Sequence, residues 1–320
     1  MNSQHPSLSV KDLTKTYRSR SGPVEAVGGV TFSVAKGELV GLLGPNGAGK
    51  TTTIKSICTL IRPTSGSIEI QGIDALKHPR KAVENVAAVL EGNRNIYWRL
   101  TTRENMELFA GMQGISKKKV SGLITELLER FDLVGKATTE ARKLSRGMQQ
   151  KLAVACAIVK KTPIVLLDEP TLGLDVETSH ELRVSLRAMA AEEGTTVLLS
   201  SHDMDVVQDV CDRVIIISDG KMVADDGVAN LLEVFKARAY AFELSTPLTE
   251  SQSEELMTLY PGTKLSDEGM LPTVEVALPE AGAIYHLMDL FRGYGCTIES
   301  IDRKDPDLEE IFLHFVRGQR

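Results

Sequence analysis

Along this chain the spacing of hydrophobic and polar positions changes several times, and each change marks a different kind of element. Glu38-Leu39-Val40-Gly41-Leu42-Leu43 is a short apolar run that predicts a buried strand, and after a glycine-rich loop Thr52 to Ile57 opens a helical pattern. Ile164 to Leu167 and Thr195 to Leu199 are apolar enough to be buried parallel strands, so residues 1–235 predict an α/β domain. Within it, Ser7 to Thr16 and Val24 to Val34 read as antiparallel strands joined by the polar turn Arg18 to Gly22. A helical insert follows, spanning about 99–160, with helices over Arg103 to Gln113 and Ser121 to Phe131.

The pattern restarts after Phe235. It reads strand (Tyr240 to Leu244), helix (Ser251 to Leu259), strands around Thr273 to Ala277, helix (Ala283 to Tyr294), strand (Thr297 to Asp302) and helix (Asp307 to Arg317). Asp305 is placed to cap that last helix, with Pro306 at its first position. This order predicts that residues 236–320 form a small α+β sandwich of ferredoxin-like type.

Composition fits a globular protein of one large and one small domain: 320 residues, 42% hydrophobic and 25% charged. No stretch is apolar for the length of a membrane span, and Met1 to Val10 is polar, without the apolar core of a signal peptide. The cysteines, Cys58, Cys156, Cys211 and Cys296, have no paired or metal-like spacing and read as reduced core thiols. Charge is uneven. From Tyr240 onward there are 6 Lys/Arg and 15 Asp/Glu, a net of −9, so the whole-chain −6 leaves +3 for the rest. The acidic tail argues against a nucleic-acid partner.

The candidate chemistry begins at Gly44-Pro45-Asn46-Gly47-Ala48-Gly49-Lys50-Thr51-Thr52, a glycine-rich loop between the predicted strand and helix. Such a loop crowds backbone N–H groups around phosphates, its lysine reaches the β- and γ-phosphates, and Thr51 can hold Mg²⁺. Ile164 to Leu167 ends in Asp168 and Glu169. Asp168 suits the Mg²⁺ of an ATP complex, and Glu169, pointing the other way on an alternating strand, can polarise the attacking water. Leu144-Ser145-Arg146-Gly147-Met148-Gln149-Gln150 opens an amphipathic helix running to Lys160, with Ser145 as N-cap; its hydroxyl, glycine and helix N-terminus form a candidate second anion site, though taken alone the segment reads only as a well-capped helix.

The order of these motifs resembles the ATP-binding subunit of an ABC transporter. GPNGAGKTT resembles Walker A, IVLLDEP resembles Walker B with its catalytic glutamate, and LSRGMQQ resembles the family signature. Leu172-Gly173-Leu174-Asp175 resembles the D-loop, His202 the switch histidine, and Tyr17 the aromatic that stacks on adenine. The likeness covers roughly residues 7–230. It implies a P-loop NTPase cassette with a parallel-sheet core, an antiparallel β subdomain and a helical insert. It also implies ATP and Mg²⁺ as cofactors, and two cassettes packed head to tail. Ser145 and Gly147 would then reach an ATP held by Lys50 of the other cassette, with Glu169, His202 and Lys50 as the catalytic set.

Three positions depart from the common pattern. Arg146 and Met148 stand where glycine and glutamine are usual, Glu91 stands where a glutamine faces the metal, and Leu172 stands where a serine is usual. These, with Glu91 followed by GNRNIYWRLT and the acidic ending Asp307-Leu308-Glu309-Glu310-Ile311-Phe312, resemble the daunorubicin-resistance type of subunit. That branch implies an exporter with a separate multi-span permease and a peripheral place on the cytoplasmic face of the membrane. Because one sequence can form both composite sites, a homodimer is favoured over pairing with a different cassette. Tyr97-Trp98-Arg99 would face the permease, or Trp98 would be a core residue. The rival is a soluble ABC-type ATPase acting as an ATP-gated interaction protein; such chains usually carry tandem cassettes or a long coiled coil, and this one has a single Walker A and no sustained heptads.

Overall fold

A computed structural model describes residues 6–19, 22–92, 95–236, 239–266, 271–278 and 282–303. The expected turn at 20–21, the loop residues Asn93 and Arg94, and the helix expected from Asp307 with its Asp305 cap lie outside the described residues. The chain divides into two compact units, Met1–Asp225 and Asp226–Arg320. The sequence pattern restarts later, at 235, because the helix Val228–Lys236 groups with the second unit.

In the first unit, a six-stranded sheet runs in the order Lys221–Gly227, Arg213–Ser218, Leu39–Leu43, Thr196–Ser201, Ile164–Asp168, Val86–Val89. Its central pairings are parallel, with Leu39–Leu43 between Thr196–Ser201 and Arg213–Ser218, and with Ile164–Asp168 flanked by Thr196–Ser201 and Val86–Val89. Leu39–Leu43, Ile164–Asp168 and Thr196–Ser201 are buried at every position, as expected of parallel strands covered on both faces. Their C-terminal ends therefore open together, the place where ligands bind in open α/β sheets.

A second sheet is antiparallel, in the order Gly22–Val34, Leu8–Ser19, Ser65–Ile70, Ile73–Asp74. The first hairpin is longer than the sequence pattern suggests, since Arg18 and Ser19 remain in the ladder opposite Pro23 and Gly22. Both sheets share one core: Val10, Leu13, Phe32 and Ile68 meet Leu42, Leu166 and Leu198 around Ile54 and Ile57 of the helix Lys50–Ile57. The helix that starts at the phosphate loop is thus clamped between the sheets.

The helical insert consists of Thr102–Met112, Lys117–Arg130 and Arg146–Ile158. Thr101 and Glu104 form a reciprocal capping box at the first of these. Buried Asn105 accepts from the Tyr97 N–H and donates to the carbonyls of Tyr97, Leu100 and Thr101, which fixes the loop before the helix. Tyr97 and Trp98 consequently stand about half exposed on that loop, so Trp98 is not a core residue.

The second unit has strands Ala239–Leu244, Lys264–Ser266, Thr273–Ala277 and Ile298–Arg303 with helices Glu250–Leu259 and Ala283–Gly293. Its sheet order, second-third-first-fourth, with antiparallel neighbours, is the split βαβ arrangement of ferredoxin-like folds. Phe242, Leu244, Val274 and Val276 from the sheet bury against Leu256, Leu287 and Phe291 from the helices.

Candidate active site

The strand Leu39–Leu43 delivers the chain into the glycine-rich loop at the open end of the sheet. Gly44 is required there by contact: a Cβ would sit 2.2 Å from the Ile217 carbonyl oxygen on the neighbouring strand. Lys50 Nζ donates to the carbonyls of Gly44 (2.6 Å) and Pro45 (3.2 Å), so the loop curls around its own ammonium group. The result is a cavity of about 400 Å³ lined by every residue from Pro45 through Asn46, Gly47, Ala48, Gly49, Lys50 and Thr51 to Thr52, with Ala26, Glu91, Glu169, Leu172 and His202. The first N–H groups of an eight-residue helix open onto it, and they have no partners within the helix.

Two carboxylates meet this cradle. Asp168 ends its strand, and its Oδ1 accepts from Thr51 Oγ1 (3.1 Å) and Ser200 Oγ (2.6 Å). Its Oδ2 is buried and has no hydrogen-bond partner among the described residues. Strand alternation aims Glu169 away from Asp168, but the strand stops at Asp168 and Glu169 turns with φ of 52°. The Glu169 carboxylate thereby reaches two partners: Oε1 lies 3.4 Å from Lys50 Nζ and Oε2 lies 2.9 Å from His202 Nδ1. The Glu169 N–H donates to both the carbonyl and the hydroxyl of Ser200, each at 3.1 Å.

Ser200 has no role in the sequence reading, yet its one hydroxyl serves both acids. The available signal was a fully buried hydroxyl residue at the end of an otherwise apolar strand. Ala26 was likewise missed, since only the pairing of two distant sheets brings it to the loop.

The remaining expected residues are placed as follows. Ser145 caps Arg146–Ile158, its Oγ accepting from the Met148 N–H at 3.3 Å. Gly147 packs on the next helix, where a Cβ would lie 2.7 Å from Thr178 Cγ2. Neither lines the Lys50 cradle. Tyr17 is partly exposed in the first hairpin, opposite Val24, and it too lies outside the cradle lining. Glu91 is exposed and lines both the cradle and a smaller cavity of about 150 Å³ shared with Arg146, Asp168 and Glu169.

The family model described as ABC transporter matches residues 27–172. The ABC transporter ATP-binding protein NatA of Bacillus subtilis is 34% identical over 71% of this chain and 92% of its own length. The chain belongs to the ABC transporter family, as an ATP-binding subunit. Among other relatives, the daunorubicin resistance ATP-binding protein DrrA3 of Streptomyces coeruleorubidus is 31% identical over 94% of both chains. The Nod factor export ATP-binding protein I of Burkholderia orbicola is 34% identical over 79% of this chain and 83% of its own. Among solved structures, a dimeric ATP-binding cassette in a post-hydrolysis state bound to ADP and Pi superposes with a TM-score of 0.63 at 29% identity, over 69% of this chain and 98% of that one. This ABC cassette is an ATP hydrolase, and its relatives belong to several named branches.

Proposed function

We propose that this chain powers an exporter whose membrane-spanning permease is a separate chain. Two copies close on two ATP molecules, closure rearranges the permease, and hydrolysis resets it. The observation that carries this reading is the incompleteness of the cradle: Lys50, Thr51, Glu169 and His202 line one cavity and Asp168 is bonded to its Thr51, while the capped helix start at Ser145 and Gly147 lies outside it. A phosphate held by Lys50 of one copy is then covered by Ser145 and Gly147 of the other. The solved dimeric cassette supports the pairing, the Nod factor export relative supports an exporter, and the daunorubicin resistance relative, which spans the acidic tail as well, supports the branch. Half-exposed Tyr97 and Trp98 suit the permease-facing surface. Among the described residues no helix is long and apolar enough to cross a membrane.

In the proposed site the loop amides from Gly44 to Thr52 and the Lys50 ammonium bind the β- and γ-phosphates, and Tyr17 stacks on the adenine. Glu169 accepts the proton of the water that attacks the γ-phosphorus, and ADP leaves along the line of attack. His202 orients the Glu169 carboxylate and donates to the γ-phosphate. Mg²⁺ fits the donor set. Asp168 Oδ2 is a buried acceptor without a donor among the described residues, Thr51 and Glu91 add further hard oxygens, and Mg²⁺ is commonly held by one or two carboxylates together with substrate phosphates. Among the described residues no group of three His, Cys, Asp or Glu side chains could hold an ion unaided. Thr51, Asp168 and Glu91 would hold Mg²⁺, which would neutralise phosphate charge.

Glu169→Gln tests the assignment. ATP binding persists, turnover falls by about 100-fold or more as expected for loss of a general base, and ATP traps a dimer visible by size-exclusion chromatography. Wild-type turnover in that variant would refute the role. Native copurification with mass identification of partners tests the exporter: a multi-span partner supports it, whereas ribosomes or DNA without one would favour the soluble ATP-gated alternative.

A further inference from the structure

The signature helix and the D-loop of the same chain touch through a residue that the common family pattern lacks. Arg146 Nη2 donates to the Leu172 carbonyl at 3.4 Å, and the Arg146 guanidinium packs on Gly173. Gly173 has φ of 70°, and a Cβ there would lie 2.7–2.8 Å from the guanidinium atoms, so the close approach depends on glycine. One bond further along, the Leu172 N–H donates to the Glu169 carbonyl at 3.2 Å. A continuous series of contacts thus runs from Arg146 through Leu172 to the residue that carries the cradle carboxylate. Arg146 also lines the 150 Å³ cavity together with Glu169. Beneath this series the helix Arg146–Ile158 and the helix Val176–Glu193 that follows the D-loop are tied independently of Arg146, by the Lys151–Glu181 ion pair and by Gly147 against Thr178. The contact is therefore an addition to the helix packing and not a requirement for it.

We infer that Arg146 is a positioning residue for the Glu169 of its own chain, acting through Leu172 and Gly173. This rests on the two-cassette reading, in which the neighbouring Ser145 and Gly147 face the other copy's ATP. Arg146 accordingly acts in cis while its immediate neighbours act in trans, and signature engagement at one ATP is transmitted to the carboxylate at the other. The planar guanidinium suits the task because it can donate to a carbonyl while lying flat on a glycine.

Mixed dimers of two differently tagged copies separate cis from trans. With Glu169→Gln in one copy and Arg146→Ala in the other, hydrolysis survives only at the site whose own Arg146 is missing and whose covering signature is intact. The expected result is a fall in kcat of about threefold to tenfold, the effect of one lost hydrogen bond, with the KM for ATP within about twofold of the control. With both substitutions in one copy, the surviving site keeps its own Arg146 and is covered by the Arg146→Ala signature; there kcat stays at the level of the Glu169→Gln control dimer. A fall confined to the second arrangement would mean that Arg146 serves the partner's ATP and would overturn the proposal. Equal falls in both, or none in either, would overturn it as well, the former showing a general loss of fold or pairing. If the unsubstituted chain forms no ATP-dependent dimer, the two-cassette reading fails and takes this inference with it.

Discussion

Replacing Ser200 by alanine removes one hydroxyl and should weaken Mg²⁺-dependent hydrolysis more than it weakens the fold. Ser200 Oγ donates to Asp168 Oδ1 at 2.6 Å and accepts from the Glu169 N–H at 3.1 Å. The Glu169 N–H keeps a second acceptor in the Ser200 carbonyl, so that side loses little. Asp168 loses one of two donors and retains Thr51 at 3.1 Å. A hydrogen bond to a charged acceptor is worth about 1.5–3 kcal/mol. For a cassette of this size, that lowers the melting temperature by roughly 3–12 °C. If Asp168 holds Mg²⁺ as proposed, the functional effect runs through metal orientation, since losing a partner that orients a metal ligand costs about 10- to 100-fold in metal affinity or activity. The assay is steady-state ATP hydrolysis titrated with Mg²⁺ at fixed ATP, with Ser201→Ala as control. Ser201 is equally buried, but its hydroxyl accepts from the Asp203 N–H at 2.9 Å and makes no bond to either acid. Ser200→Ala should raise the Mg²⁺ half-saturation concentration by about tenfold, and Ser201→Ala should leave it alone. If both variants shift it equally, or Ser200→Ala does not shift it, the hydroxyl is structural only.

Three further outcomes are expected. Gly44→Ala pushes a methyl to 2.2 Å from the Ile217 carbonyl, so the loop must move and ATP affinity should fall by about tenfold or more, measured by equilibrium binding; unchanged affinity would show that the loop position is not critical. Burial, with Asp168 nearby, pushes the Cys58 thiol up to about 12, and burial also raises Cys156 and Cys211. Iodoacetamide at pH 8 should therefore label partly exposed Cys296 in the native protein and the other three only after unfolding, as read by peptide mass mapping. Hydrogen bonds from the Thr178 N–H and hydroxyl hold the Asp175 carboxyl below its ordinary range. A depressed carboxyl stabilises the fold above its unfolded pKa, and that stability is lost as pH falls through the folded value. The melting-temperature gap between wild type and Asp175→Ala should narrow from pH 7 toward pH 3, and a constant gap would contradict the cap.

Much of the site is legible in the sequence because its parts are contiguous. The loop from Gly44 to Thr52, the acid pair after an apolar strand and the Ser145 cap each occupy one short segment, and each can be tied to a local physical requirement. The ferredoxin-like order of the second unit is legible in the same way, from alternating strand and helix patterns between 239 and 303. Arg213–Ser218 does carry the signal, since Val214 to Ile217 is an apolar β-branched run like the other buried strands. The strand Ser65–Ile70 is not legible by these means, because its identity depends on pairing with a partner far along the chain, Leu8 with Ile70. The Arg146–Gly173 contact is hidden for the same reason: the sequence shows an unusual arginine and an ordinary glycine, and only tertiary packing joins them.

The direction of Glu169 shows why local alternation fails at the site itself. Two consecutive acids on a strand face opposite sides, yet Thr51 and Lys50 lie together and each engages one of them. The fold reconciles these demands by ending the ladder at Asp168 and turning Glu169 into the left-handed region, which costs a non-glycine residue about 1–3 kcal/mol unless its surroundings fix it. The fixing comes from the adjacent strand. Ser200 lies opposite Asp168 in register and holds the Glu169 N–H with two acceptors, while Leu172 holds the Glu169 carbonyl. Ser200 near the end of the strand and His202 just beyond it reach the same acid pair, one binding Asp168 and the Glu169 backbone and the other the Glu169 carboxylate. Ser201, between them, faces elsewhere and serves the next helix. The acid pair and the end of the strand Thr196–Ser201 are therefore one device. These contacts predict that substitutions at 200 and 202 disturb hydrolysis while the same change at 201 disturbs only stability.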